Sequence, residues 1–367
     1  MTVTLGRPAC DLPSAEFEGR AKRLCAGLAQ HRLDALLVVT DVNRYYFTGL
    51  QTSSGFLLIQ KRQQPAFYTD FRYLVMARRQ LTFMPSKKLW RPADEQSVMS
   101  CLGKTWRRVG YEGQMDAARF NKLRDALPHV EWVDVGAQLA VMRSVKSLAE
   151  QQVIRSAVSA NDRLFGDVFK LIAPGMSEWA IRNCIRAGAD RLGQGEAFDT
   201  IACVGRNAAE CHHHPDMTVL KDGQSLLIDL GVKVDHYCSD MTRSVFFGSP
   251  TPLYREIHGI VLEANRRAIR AVKPGRRCDE IDAIARRHIE KAGYGDCFGH
   301  GLGHSLGLEI HESPSFASSC KTELKPGMVL TVEPGIYLPG RLGIRIEDVI
   351  LVTRSGCEVL SQTPRSL

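Results

Sequence analysis

Apolar residues recur at helical spacing from Phe17 to Arg32, and the following run DALLVV (Asp34 to Val39) predicts a buried strand. GFLLIQ (Gly55 to Gln60) and PAFYTD (Pro65 to Asp70) predict further strands. RYLVMARRQL has the spacing of an amphipathic helix, and RRVGYEG and HVEWVDVG add two short strands. Helices interleaved with strands predict an α/β N-terminal domain ending near Leu139. From Val141, VMRSVKSLAEQQVIRSAVSANDRLFGDVFKLI reads as one long helical stretch with its charge gathered on one side, and it opens a second domain. The boundary falls at about Arg143 to Ser147, giving domains 1–143 and 144–367. Helices are predicted over Ser177 to Leu192, Tyr254 to Val272 and Asp279 to Ala292. Strand-rich segments lie between and after them: LLIDLGVKV, YCSDMTRSVFF, MVLTVEPGIYL and GIRIEDVILV. No short repeat or low-complexity segment supports a solenoid or a propeller.

Composition changes this picture little. With 367 residues, 44% of them hydrophobic, the chain is long enough for two cored domains rather than one isolated binding module. Its formal charge of +8 is spread over 48 basic and 40 acidic residues without a Lys/Arg tract, so a solvated basic surface is expected and no nucleic-acid partner. The N-terminus carries no apolar core of signal-peptide length, and no run approaches the ~20 apolar residues of a membrane span. A cytoplasmic protein without a membrane partner is expected. The 11 cysteines are scattered with no CxxC pair, which favours reduced thiols over a disulfide framework or a zinc ribbon.

The chemistry lies where acids interrupt apolar strands. In QSLLIDLGVKVDHYCSDMTRSVFFG, Asp229 and Asp240 each sit inside a β-rich run, although a buried carboxylate is costly without a partner. A two-residue turn at Val234–Asp235 would set these acids opposite each other, with Cβ atoms ~4.5–5.5 Å apart. Like charges so placed repel unless a cation lies between them. Glu333 in LTVEPG and Glu347 in GIRIEDV repeat the pattern. Four carboxylates call for divalent cations, and an added imidazole tilts the preference from magnesium or calcium toward transition metals. That imidazole is expected in FGHGLGHSLGLEIHESP, which holds His300, His304 and His311.

These segments resemble the creatinase, prolidase and aminopeptidase P superfamily, the pita-bread metallopeptidases, which also includes methionine aminopeptidases. VGRNAAECHHHP, LLIDLG with YCSDMTR, HGLGHSLGLEIHE, TVEPGIY and GIRIEDVILV occur in the family's order, and NRYYFTGL and FYTDFRYLVMA resemble its creatinase-type N-terminal domain. The resemblance implies an α/β (α+β) protein, with that domain followed by a pita-bread catalytic domain. It implies two divalent metal ions, manganese or cobalt ahead of zinc or iron. Asp229 would be the outer ligand of one ion, Asp240 and Glu347 would be shared, and His304 and Glu333 would complete the other. A hydroxide bridging the ions would attack the scissile carbonyl, with Glu333 as general base. His212 and His311 resemble catalytic hydrogen-bonding groups, with His213 or His214 as alternatives to His212 in a run of three. His300 and Arg345 resemble substrate-pocket residues, Arg345 ordering the acids from behind. The implied substrate is a peptide with proline at its second position, either a dipeptide or a longer N-terminus, and the implied assembly is a homodimer. Creatinase-like C–N hydrolysis or a non-enzymatic binding role would be the alternatives, and an intact ligand set argues against both.

Blander readings exist for each residue. Asp240 could pair with Arg243, and Glu347 with Arg345. Gly303 to Gly307 fits a GxSxG elbow around Ser305, but the only histidine after it is His311, too close to serve a triad. His311-Glu312 begins an HExxH-like string that Ser315 breaks and Pro314 keeps from being a helix.

Overall fold

A computed structural model describes residues 12–61, 63–88 and 105–365. The first eleven residues, most of the stretch read above for a targeting signal, lie outside these, as do Cys10 and Cys101. The nine described cysteines are all free, and no described helix is long and apolar enough to cross a membrane. The chain divides between Met142 and Arg143 into two compact units.

The N-terminal unit runs α1 (Ser14–Gln30), β1 (Ala35–Val38), α2 (Asp41–Thr48), β2 (Phe56–Gln60), β3 (Ala66–Thr69), α3 (Phe71–Gln80), β4 (Ser86–Lys88), β5 (Arg108–Tyr111), α4 (Ala117–Ala126) and β6 (Glu131–Asp134), with α5 (Gly136–Ser144) crossing the division. Its mixed sheet has the order β4-β3-β2-β1-β5-β6. The predicted strands are present, but helix α2 has no counterpart in the sequence reading. Its buried residues include Asn43 and Arg44, so no apolar period announces it. Asn43 Nδ2 (2.6 Å) and Thr40 Oγ1 (2.5 Å) donate to the buried Glu112 carboxylate, and the Arg44 guanidinium donates to the Val39 and Thr52 carbonyls.

The long helical stretch from Val141 is two helices. α5 stops at Ser144, and α6 (Leu148–Phe169) begins behind Ser147, whose hydroxyl accepts the Glu150 N–H while Glu150 reaches back to the Ser147 N–H. This capping box, Ser-Leu-Ala-Glu, satisfies end donors that a continuous helix would not expose.

The C-terminal unit repeats one motif. Helices α6 and α7 (Glu178–Leu192) share a core with β7 (Ile201–Val204), β8 (Ser225–Leu230) and β11 (Met241–Phe246). The pair α8 (Pro252–Ala271) and α9 (Cys278–Lys291) covers a second sheet of order β13-β12-β14-β17-β18, made of β12 (Gly303–Ser305), β13 (Glu312–Phe316), β14 (Val329–Val332), β17 (Asp348–Val352) and β18 (Cys357–Val359). Two small hairpins, β9 (Lys233–Val234) with β10 (Tyr237–Cys238) and β15 (Gly335–Leu338) with β16 (Leu342–Arg345), complete it. The second helix of each half is entered through a Pro-Gly turn at positive φ, +101° at Gly175 and +81° at Gly275, which a side chain would strain. The Gly175 N–H donates to Leu220 O (2.8 Å), as the Gly275 N–H does to Leu324 O (2.9 Å). The repeat also shows in side-chain identity, for Thr218, Leu220, Lys221 and Gly223 match Thr322, Leu324, Lys325 and Gly327. Residues 361–365 fold back on the unit. Asp162 accepts the Gln362 and Thr363 N–H groups, and Arg243 donates to Thr363 O (2.7 Å) and Pro364 O (3.0 Å).

Candidate metal centre

The acids are delivered by strand ends. β8 and β11 are antiparallel, and the chain between them reverses at Asp235–His236, whose φ values of +44° and +69° suit a primed two-residue turn. The turn expected at Val234–Asp235 is therefore one residue early. Asp229 faces Thr242, not Asp240. Moving a turn by one residue moves each partner by two, which leaves every side chain on its original face. Asp229 and Asp240 accordingly still line one cavity of about 680 Å³. β14 and β17 bring the second pair: Glu333 and Glu347 lie one step beyond the Val332–Asp348 pair. His304 comes from β12, between β13 and β14 in the same sheet.

Asp229, Asp240 and Glu347 are buried, and each keeps one carboxylate oxygen without a hydrogen-bond partner among the described residues. Ligating atoms of Asp240, His304 and Glu347 lie within 4.8 Å of one another. His304 Nε2 is 3.2 Å from Glu333 Oε1 and 3.7 Å from Asp240 Oδ2. The remaining oxygens are held from behind: Arg345 Nη2 donates to Asp229 Oδ2 (2.6 Å), the Thr242 hydroxyl to Glu347 Oε2 (2.7 Å) and the Thr331 hydroxyl to Glu333 Oε1 (3.1 Å).

Burial, and then the charges of the neighbouring acids, push Asp240 and Glu347 well above the usual carboxylate range. Burial also raises Asp229, against the pull of Arg345. Glu333 goes the other way. Burial opposes its ionisation, but the hydrogen bond and charge of His304 bring it to about 2. Burial disfavours the His304 imidazolium, yet Glu333 carries that group above its ordinary value. Three orphan oxygens and two strongly raised acids mark a site short of positive charge, and four carboxylates with one imidazole form a donor set for divalent ions.

The bland pairings do not form. Arg243 points to the opposite face and pairs with Asp348 (3.0 Å), and Arg345 pairs with Asp229 rather than Glu347. The Ser305 hydroxyl is buried and spent on the Val329 carbonyl, with Lys146 Nζ 3.0 Å behind it, so it is no nucleophile. Glu312 lies on a strand, accepting from the Leu308 N–H and Lys146.

All three histidines of the 212–214 run line the cavity, but they are not equivalent. His213 Nε2 is 2.9 Å from Glu178 Oε2. Glu178, wholly buried at the start of α7, also accepts the N–H groups of Val204 (2.6 Å) and Asp216 (3.0 Å) and the Asn207 amide (2.9 Å). Glu178, His213 and Asp216 are close enough to suggest a second ion site. Donors already occupy both Glu178 oxygens, so the cluster is a hydrogen-bonded knot that fixes the loop. Glu178→Ala is expected to lower kcat about 10- to 100-fold by misplacing His212, with metal content unchanged by elemental analysis.

His311 stacks edge-on against His304, with ring centroids 4.4 Å apart. Burial, with the His304 charge second, lowers its proton affinity. His300 is fully engaged: Nδ1 meets Gly301 O (2.8 Å), and Nε2 meets the Tyr337 hydroxyl (2.9 Å). That hydroxyl also accepts Arg345 Nη1 (2.9 Å), and Arg345 Nε donates to Thr242 (2.9 Å). The sequence reading named neither Tyr337 nor Thr242 as a functional residue. A neutral hydroxyl in a strand carries no desolvation penalty conspicuous enough to flag it; only adjacency to the acidic motifs could have done so.

Known proteins resemble this chain over nearly all of its length. The model of metallopeptidase family M24 matches residues 152–354, and that of the creatinase/prolidase N-terminal domain matches residues 20–145. An Xaa-Pro dipeptidase of Pyrococcus furiosus is 33% identical, over 95% of this chain and 99% of its own. Among solved structures, the prolidase from Pyrococcus horikoshii OT3 superposes with a TM-score of 0.90 at 32% identity, covering 95% of this chain and 99% of that one. An X-Pro aminopeptidase from Thermotoga maritima MSB8 follows at 0.87 and 31%, covering 95% and 98%.

Proposed function

The chain belongs to metallopeptidase family M24, and from that premise we propose that it uses two divalent ions to hydrolyse the Xaa-Pro bond of dipeptides or of peptide N-termini. The observation that carries the reading is the convergence of three unpartnered carboxylate oxygens, from Asp229, Asp240 and Glu347, on the cavity that also holds His304 and Glu333. These five side chains would hold the ions, Asp240 and Glu347 sharing them. Bound there, such a pair would acidify a water and polarise a peptide carbonyl. A donor set rich in hard oxygen favours manganese or cobalt.

The chain's own groups supply the rest. Glu333, 3.2 Å from His304 on the cavity wall, is the carboxylate placed to take a proton from the attacking water. His311, kept neutral by burial, can donate a hydrogen bond to the scissile carbonyl, and His212 on the same cavity wall can steady the developing charge. Arg345 and Tyr337 hold Asp229 and His300 in place, and the engaged His300 ring contributes to pocket shape. Trp179, Phe198, Ile201, Pro215 and Ile310 give the cavity an apolar wall suited to a proline ring.

Metal analysis beside an assay of Xaa-Pro dipeptides, longer Xaa-Pro peptides and creatine tests this. Activity on proline peptides should vanish when metal is stripped and return when manganese or cobalt is restored. Unchanged activity in metal-free protein would sink the reading. His311→Ala should cut kcat by about 100-fold with both metals kept; an emptied site would mean that His311 has been given the wrong role.

A further inference from the structure

The loop that carries His311 is closed at its base and pinned from inside by one carboxylate. Strands β12 and β13 pair His304 with Ser315 and Ser305 with Glu312, so the chain leaves β12 just past His304 and enters β13 just past His311. Glu312 Oε1 accepts the Leu308 N–H (3.1 Å) and the Glu309 N–H (3.3 Å). The residue next to His311 therefore ties the middle of the loop 306–311 to its end. Gly307 fits this arrangement, since a Cβ there would meet Glu312 Oε2 at 2.8 Å and Oε1 at 3.0 Å.

Two cations just ahead of α6 hold that carboxylate. Lys146 Nζ donates to Glu312 Oε2 (3.1 Å) and to Ser305 Oγ (3.0 Å), so one ammonium bridges the two residues at the base of the loop. Arg143 Nη2 lies 3.3 Å from Glu312 Oε1 and also pairs with Glu309 within the loop. The Lys146 side chain is 1% exposed and that of Glu312 3%. Charges so buried are costly when left unpaired, and these donors and acceptors therefore favour one arrangement of the loop. The Cys238 N–H adds a bond to Gly307 O (2.7 Å) from β10.

We propose that Glu312, anchored by Lys146 and Arg143, is a positioning residue that sets His311 for its part in the reaction, a role that rests on the peptidase function proposed above. His311 lines the cavity, its ring centroid 4.4 Å from that of His304, whereas the Glu312 carboxylate is engaged inside the loop. Glu312 acts on the reaction only through the loop. Loss of its charge releases Lys146 and Arg143 from it and lets Leu308 and Glu309 shift, with His311 following. A displacement of about 1 Å is enough to misplace a hydrogen-bond donor aimed at a reacting carbonyl.

The test uses the full-length, metal-loaded protein. Glu312→Gln keeps the shape of the side chain and removes its charge. It should lower kcat on an Xaa-Pro dipeptide about tenfold, with KM and metal content unchanged. In a His311→Ala background the same change should have no further effect, because a residue that acts through His311 then has nothing left to position. Gly307→Ala keeps every charge but pushes on the carboxylate, and it should show the same loss and the same dependence on His311. In zinc-loaded protein labelled at histidine nitrogen, the His311 ring signals should move in both variants while those of His258 on α8 hold. A wild type without Xaa-Pro turnover would count against the peptidase reading, and the ring signals would then decide the positioning role by themselves. Equal losses of kcat with and without His311, or unmoved His311 signals, would overturn that role.

Discussion

Glu347→Gln is expected to abolish activity, by about 1,000-fold or more, and to lose most bound metal, because it would remove the ligand that the proposed ion pair shares while preserving shape. The same variant should have the opposite effect on the metal-free protein. Burial and neighbouring acids raise Glu347 well above its ordinary value. An acid with a raised folded pKa binds more protons folded than unfolded. Its stability contribution is therefore complete below the unfolded value and is lost as pH climbs toward the folded one. Gln carries no such loss. Metal-free Glu347→Gln should outlast metal-free wild type in chemical denaturation at about pH 8, and the gap should shrink by about pH 5. A gap that stayed constant with pH would show that Glu347 does not titrate in the way its surroundings dictate.

Arg345→Met should cost about 3–5 kcal/mol, the penalty for breaking a buried, hydrogen-bonded ion pair from one side. Arg345 is 3% exposed and its guanidinium serves Asp229, Thr242 and Tyr337 together, so its loss strands a charge and two hydroxyls. Metal affinity should fall about 10- to 100-fold, since Asp229 keeps its charge but loses its orientation. Arg345→Lys should recover little of this, because a single ammonium cannot reach three acceptors spread over the guanidinium plane. Denaturation curves with and without metal separate the two effects. A Lys variant equal to wild type in both would leave the planar geometry without a role.

The candidate ligands were legible as a cluster because a charged side chain in an apolar strand is costly, and four such acids at strand ends line one cavity. The hairpin register was not, since Val234–Asp235 and Asp235–His236 are equally polar and only backbone torsion separates them; the even shift between the two kept the inference about faces intact. Glu178 went unread because an acid opening a helix is ordinary until its four donors are seen. Helix α2 escaped because its buried residues include Asn43 and Arg44, and the halves of the C-terminal unit share residues only in short stretches such as 218–223 and 322–327. The family resemblance supplied the roles of His212 and His311, which spacing alone would have left as two histidines among many.

Arg243 has a consequence for the order in which the molecule is made. Its acceptors include the Glu347 carbonyl, Asp348, Thr363 and Pro364, all emerging from the ribosome long after β11 itself. The N-terminal unit ends by Met142 and has all its strands in hand early, as domains that fold during synthesis do. The cavity that holds the five candidate ligands instead waits for Glu347, and the β11–β17 seam beside it waits for Thr363 and Pro364, which accept from Arg243. An ion held by all five side chains would therefore load only after Glu347 has been made.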